Sequence, residues 1–339
     1  MNDVTTASRR RTFLTTTSTS ISHSPFFLPK HMDPDIPITP AYNPNPSQDQ
    51  KALWKAYVHS LVPCASVSVF RLGFMQFNVH HVSEQLQLKQ RHILHDDFTF
   101  TCDANGQLDG LCYVAGVDLS FPLDNEEDAV ACLVVLEYPT LQVRWELLQD
   151  SSLNVIYEDF LDVKLSLPYI AGFLAFREVA PLLDLLTKLK NLKPEIYPQI
   201  ILVDGNGLLH PRLFGLACHL GVLSSTPTIG IAKNFLQIAD GASLTMSAVK
   251  RHCRAHLAGA GDKYVLRGDS GTVYGAALRM TRDAPNPIFV SQGHRVTLET
   301  AVRVAMACAK YRVPEPIRAA DGKSREYVRN KYGGGKGKA

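Results

Sequence analysis

Short apolar runs, each about the length of one strand, recur between residues 84 and 330 and alternate with segments whose apolar residues return every three or four positions. That alternation constrains the chain more than any other feature, because strands sandwiched by intervening helices make a layered α/β domain. Leu111–Leu119 reads as a buried strand, and Ala129–Glu137 with Leu141–Leu148 reads as a hairpin turning at Pro139–Thr140. A second apolar stretch covers Leu153–Phe160. A helical pattern carried by Leu182, Leu183, Leu186 and Leu189 then precedes the strand Ile200–Val203. The remaining pattern predicts a helix over Pro211–Leu220, strands at Thr228–Ala232, Val273–Leu278 and Ile288–Ser291, and a helix over Leu298–Tyr311. That last helix sets Leu298, Val302, Ala305 and Ala309 on one face.

Three antiparallel opening strands followed by helix and parallel-type alternation are what a ribonuclease H-like domain shows. The expected fold is therefore α/β, a mixed central sheet flanked by helices in a single catalytic domain at 84–330. With 339 residues, 45% of them hydrophobic, the chain can bury a full-sized core, which excludes a mostly disordered or fibrous protein. A net charge of +3 permits a polyanionic partner without predicting one. The 7 cysteines are odd in number and scattered without a C-x-x-C pair, against a disulfide framework or a zinc ribbon. Charges, His or Pro interrupt every apolar stretch short of the roughly 20 residues a membrane span needs, so a soluble intracellular protein is expected.

The first 50 residues differ from the rest. Twelve Ser or Thr fall within the first 24 and seven prolines lie between Pro25 and Pro46, the composition of a disordered tail. Arg9, Arg10 and Arg11 with only Asp3 as an acid before Asp33 also suit a transit peptide, so a mitochondrial address stays open beside the default cytoplasm, nucleus or nucleolus. After Asp321 come Lys323, Arg325, Arg329, Lys331, Lys336 and Lys338 against Glu326 alone, ending in a Gly/Lys-rich tail at 331–339. Such a stretch is either solvated or touches phosphates.

Asp118 follows the apolar run Val114–Val117, and Asp204 follows Ile200–Val203. Two carboxylates at the ends of neighbouring strands need a cation between them or a raised pKa. Mg²⁺, which prefers oxygen ligands beside a phosphate, answers that need; a loop cap at each strand end is the plainer reading. In residues 167–178, Pro168 and Gly172 imply a rigid turn entering a helix, with Tyr169 and Ile170 at its tip and Glu178 in the first helical turn. An aromatic on such a turn either wedges into a base stack or packs on the core. Lys233 follows a strand and suits a phosphate oxygen, though alone it would read as a surface lysine. His210 either contacts a nucleic-acid backbone or caps a helix opening at Pro211. Gly205 and Gly207 allow close approach of a ligand or simply make a turn.

These segments together resemble the endonuclease V family of nucleases, which act near deaminated purines such as inosine. The likeness covers about 84–330 and rests on Val114–Phe121, Pro168–Glu178, Val203–Pro211, Gly230–Lys233 and Ser291–His294, in that order. The resemblance implies that Asp118, Glu178 and Asp204 form a Mg²⁺-binding centre, with Mn²⁺ able to substitute, and that Lys233 and His294 assist near the phosphate. It implies that Tyr169 and Ile170 fill the gap left by an extruded base, which the loops around Gly172, Leu174, Gly205 and Gly207 hold through main-chain groups. Asp321 is either an outer member of the acidic cluster or a salt-bridge partner of Arg318 or Arg325.

Ala171 stands where bacterial members tend to have a second proline, which is similar to eukaryotic members and favours inosine in RNA. Joining Ala56 to Glu84 restores one amphipathic helix pattern, so 57–83 reads as an insertion such as a retained intron would encode; mature transcripts that include codons 57 to 83 would contradict the intron. The expected activity is Mg²⁺-dependent hydrolysis of the second phosphodiester 3′ to inosine in single-stranded or structured RNA or DNA, by a monomer, in repair or inosine-RNA metabolism. The alternatives are a ribonuclease H-like nuclease of other selectivity and an inosine-binding protein that does not cut.

Overall fold

Leu, Ile and Val concentrate in five- to ten-residue runs whose alternate side chains are buried on opposite faces, the signature of strands covered on both sides. The computed structural model describes residues 81–103, 106–123, 127–138, 155–165 and 172–333. Its strands are β1 (Thr101–Cys102), β2 (Leu108–Asp109), β3 (Tyr113–Ser120), β4 (Asp128–Glu137), β5 (Val155–Lys164), β6 (Ile200–Asp204), β7 (Thr228–Ala232), β8 (Lys263–Arg267), β9 (Val273–Leu278) and β10 (Ile288–His294). Its α-helices with both ends described are α1 (Leu174–Leu192), α2 (Leu216–Ser224), α3 (Met246–His256), α4 (Leu298–Ala307) and α5 (Glu315–Tyr332). One sheet runs β5-β4-β3-β6-β7-β10-β9-β8. β3, β6 and β7 are parallel at its centre, and the strands on either wing are antiparallel.

Period-two alternation distributes the core. Ile201 and Val203 pack with Leu182, Leu185, Leu186 and Leu189 of α1 and Leu216 and Leu220 of α2. Ile200 and Leu202 pack on the opposite face with Ala301 and Val304 of α4 and Ile317 and Ala320 of α5. Each such aliphatic side chain contributes about 1.5–3 kcal/mol by leaving water. This is the mixed, helix-flanked ribonuclease H-like sheet that the sequence predicts.

The close seating of α5 depends on Gly116, in the middle of β3. A Cβ there would lie 1.9 Å from the carbonyl oxygen of Pro316, so glycine lets the helix backbone rest directly on the strand. The residues after Asp321, expected as a solvated or phosphate-touching tail, are helical as far as Tyr332. Two of their charges pair with β5, Lys323 at 2.9 Å from Glu158 and Lys331 at 2.6 Å from Asp162, while Lys336 and Lys338 lie outside the described residues.

Other boundaries shift as well. On the side away from β3, β4 pairs antiparallel with β5, while the expected strand Leu141–Leu148 and its Pro139–Thr140 turn lie outside the described residues. The expected helix at Pro211 begins only at Leu216, because 211–215 folds as turns in which Leu213 takes a positive φ of 56°. α1 starts at Leu174 and continues through Pro181; its four buried leucines outweigh a local cost of about 3 kcal/mol. Glu178 therefore sits in the second turn rather than the first. Helix α3 and strand β8 are additional to the sequence reading. Among the described residues, no helix is long and apolar enough to cross a membrane.

Candidate active site

The parallel register brings two carboxylates together. Val117 pairs with Val203, so Asp118 and Asp204 stand side by side where the pairing of β3 with β6 ends. Asp118 is two residues beyond Gly116 and therefore faces the α5 side of the sheet, and the helix seated there supplies Asp321. Asp118, Asp204 and Asp321 each present a carboxylate oxygen, all within 4.8 Å of one another. Helix α1, on the opposite side, brings Glu178 to the same cleft. The cleft has a volume of about 360 Å³; Asp118, Glu178 and Asp204 line it together with Arg177 and an apolar wall that includes Leu119, Leu174 and Leu216.

This crowding of acids in a buried place perturbs them. Burial first, then the charges of Asp204 and Asp321, push Asp118 up to about 7. Burial pushes Glu178 up to about 8; Arg177 opposes this, and the charges of Asp118 and Asp204 add to it. Lys233, just past β7, partly offsets the negative charge: its Nζ lies 2.7 Å from Asp204 Oδ2 and 3.2 Å from Asp321 Oδ1. Burial opposes the ammonium, but those carboxylates hold its pKa above the ordinary lysine range. Asp118 is also tied to α5, because Ser324 Oγ donates to its Oδ2 at 3.1 Å and lies 2.7 Å from Ser120 Oγ.

The donor set suits a hard divalent cation. Three carboxylates without sulfur or imidazole are ligands of the Mg²⁺ and Mn²⁺ type, and the raised pKa of Asp118 is the expected cost of clustering them. Asp321 resolves as both of its sequence readings at once, since it belongs to the tight cluster and also pairs with Arg325 at 2.9 Å. Arg318 instead binds Glu315 at 2.7 Å. Glu178 lines the cleft but lies outside the tight group of three.

Several predicted residues stand elsewhere. His294 is paired with Thr228, at the start of β7, whereas the carboxylates of Asp118 and Asp204 lie towards the opposite, C-terminal ends of the parallel strands. The length of β7 puts it about 13 Å from the Lys233 end, so His294 does not join the cluster. It is buried, its Nδ1 accepts from Ile93 N at 3.2 Å, and burial followed by the charge of His92 lowers it to about 4. His210 is likewise buried: Nδ1 accepts from Arg212 N at 3.2 Å, which makes Nε2–H the donor to Gly172 O at 2.9 Å. It caps no helix and latches the turn at Gly172. Gly207 is a packing glycine, since its Cβ would lie 1.9 Å from Gln292 O, and a Cβ on Gly205 would meet Leu216 at 3.2 Å. Gly172 has a φ of +83° and leads into α1, where Leu174 lines the cleft. Pro168, Tyr169 and Ile170 lie outside the described residues.

Residues not singled out by the sequence complete the site. Phe121 and Arg177 line the cleft, Ser120 and Ser324 hold Asp118, and Arg212 donates to Gln85 and Gly172 O while its guanidinium lies 4.1 Å over the Phe173 ring. Ser324 carried one legible signal, its helical i+3 spacing from Asp321.

Comparison with known proteins accords with this geometry. The family model described as Endonuclease V matches residues 98–322. Mouse endonuclease V is 46% identical over 250 residues, covering 74% of this chain and 69% of the mouse protein. The crystal structure of the human enzyme is 42% identical, with a TM-score of 0.65, covering 75% of this chain and 99% of that one. A Ciona intestinalis endonuclease V, solved with a 23mer DNA containing an inosine followed by a ribo-adenosine, is 35% identical. Its TM-score is 0.66, and the match covers 75% of this chain and 98% of that one.

Proposed function

Because the chain belongs to the endonuclease V family and is an endonuclease by that membership, we propose that it hydrolyses, with Mg²⁺, the second phosphodiester 3′ to an inosine in single-stranded or structured nucleic acid, RNA before DNA. One observation carries the reading: three carboxylates from β3, β6 and α5 converge within 4.8 Å, and two of them, Asp118 and Asp204, line a cleft. The Ciona complex supports the substrate class, its DNA carrying a ribonucleotide directly after the inosine.

Asp118, Asp204 and Asp321 would hold the metal, and Mn²⁺ would fit the same oxygen donors. A bound divalent ion would supply Lewis acidity and charge neutralisation at a phosphate, and would lower the pKa of a water. The other tasks fall to side chains. Lys233 neutralises two of the three acids and presents an ammonium as a point charge beside the phosphate site. Ser324 fixes the direction of Asp118. Glu178, raised to about 8, retains a large protonated fraction at neutral pH and can exchange a proton inside the cleft. Leu119, Leu174 and Leu216 keep bulk water from its wall. His210 and Arg212 brace the Gly172 turn that leads to Leu174.

The test is cleavage of matched single-stranded RNA and DNA oligonucleotides that carry inosine or guanosine, with Mg²⁺ or a chelator, by the wild type and Asp118→Ala. Inosine- and Mg²⁺-dependent cutting that the substitution abolishes is the expected result. Selective binding of inosine without cutting would favour a non-cleaving binder, and cutting indifferent to inosine would favour a nuclease of other selectivity.

A further inference from the structure

A cleft floored with carboxylates poses a problem for any enzyme that must draw in a polyanion. Asp118, Asp204 and Asp321 cluster their carboxylates within 4.8 Å and repel the phosphates of the strand to be cut, and Lys233 already contacts two of those acids. A charge-neutral contact that holds a strand against such a floor is stacking of a base on an aromatic ring, which every base can make with its π-face.

Phe121 has the placement for that contact. It follows β3 directly, three residues after Asp118, so its backbone lies within about 11 Å of that carboxylate's along the chain. It lines the same cleft as the acids yet remains 39% exposed, and Leu123, two residues on, is 75% exposed. The ring is supported from within the protein: the Arg177 guanidinium carbon lies 5.2 Å from its centroid, and Arg177 itself is only 7% exposed. A buried cation against an aromatic ring fixes the ring's orientation and leaves its remaining exposed surface available. An apolar ring held open to water at the rim of a charged cleft gains most when a flat partner covers it.

We infer that Phe121 is a stacking platform for a nucleobase of the substrate strand that flanks the scissile phosphate, distinct from the inosine itself; this rests on the nuclease reading above. The flanking assignment follows from chemistry. A phenyl ring offers no hydrogen bond, so it accepts adenine, guanine, cytosine or uracil alike, whereas selection of inosine requires polar groups that read the base edge. Phe121 therefore provides affinity and register next to the acids, and selectivity resides elsewhere.

The experiment is a double-mutant cycle on the full chain. Binding of inosine-containing single-stranded RNA is measured by fluorescence anisotropy with Ca²⁺ in place of Mg²⁺, using strands with an abasic residue at each position around the inosine in turn. The proteins are the wild type, Phe121→Ala and Phe121→Trp, with thermal unfolding checked for each. At one position 3′ to the inosine, base removal should weaken the wild type about tenfold and leave Phe121→Ala unchanged, while Phe121→Trp should restore the sensitivity. Additive losses at every flanking position, or coupling only at the inosine, would overturn the platform. The same coupling is expected on a strand with guanosine in place of inosine, because the ring is indifferent to base identity. Failure of the inosine reading is thereby distinguishable from failure of this one.

Discussion

Gly116→Ala isolates the packing contact that holds the third carboxylate in place. The added methyl carbon would sit 1.9 Å from Pro316 O and 2.2 Å from Pro316 C, about 1.5 Å short of ordinary contact. Both neighbours are backbone, so no side chain can swing aside and α5 must move off β3. Overpacking of this kind costs about 1–3 kcal/mol, and a domain of this size should lose roughly 2–12 °C in Tm. The displacement also carries Asp321, five residues along the helix from Pro316, away from Asp118 and Asp204; a shift of about 1 Å in a catalytic group costs on the order of 10²-fold in rate. Gly322→Ala is the matched control: it lies next to Asp321 in the same helix, its Cβ would meet nothing within 4 Å, and it should be neutral or stabilise by about 0.5–1 kcal/mol. Thermal unfolding and single-turnover cleavage of an inosine oligonucleotide read both consequences. If Gly116→Ala matched Gly322→Ala in both, the argument that α5 is seated through Gly116 would be refuted.

Other outcomes follow from the electrostatics. With Asp118 raised to about 7 and Glu178 to about 8, the metal-free fold binds more protons than the unfolded chain above about pH 4, so these groups remove stability as pH rises through that window. The rise in Tm on adding Mg²⁺ should therefore be larger at pH 8.5 than at pH 6. His210, His219 and His294, each lowered to about 4 by burial, act in the opposite sense below about pH 6.5, and they cancel in the comparison with and without metal. A Mg²⁺-induced shift in Tm independent of pH would contradict the clustered-acid account. Lys233→Met should slow cleavage by about 10²-fold and lower the metal-free Tm, while making the Mg²⁺-induced rise in Tm larger than in the wild type; an unchanged rise would show that the ammonium does not compensate these acids. Ser324→Ala frees Asp118 from its donor and should weaken Mn²⁺ binding about 10- to 100-fold with little loss of Tm, as calorimetry and thermal unfolding would measure.

The strands were legible because β-branched and leucine runs of five to ten residues carry their own boundaries: Thr228–Ala232 and Val273–Leu278 fold as read. Asp118 and Asp204 were legible for the same reason, as polar residues that end such runs. Helix α5 was not, because its buried face consists of the small or isolated residues Ile317, Ala319, Ala320 and Ser324 amid many charges, a pattern that resembles a solvated tail. Asp321 consequently looked peripheral until the helix was seated on Gly116. His294 failed for a different reason. Its motif lies in the right order along the chain, but the antiparallel direction of β10 carries it to the wrong end of the sheet, and strand direction is not written in a local pattern. The packing roles of His210 and Gly207 were not legible because a glycine-rich loop after a strand serves tight packing and ligand approach with the same residues.

The proposed metal centre consists of Asp118, Asp204 and Asp321. Mn²⁺ binding by isothermal titration calorimetry to the wild type, Asp321→Asn and His294→Gln tests it most directly, with circular dichroism to confirm folding. Asp321→Asn should lose the binding and His294→Gln should retain it. Retention by a folded Asp321→Asn protein, together with loss in His294→Gln, would contradict this assignment and place the metal at the other end of the sheet.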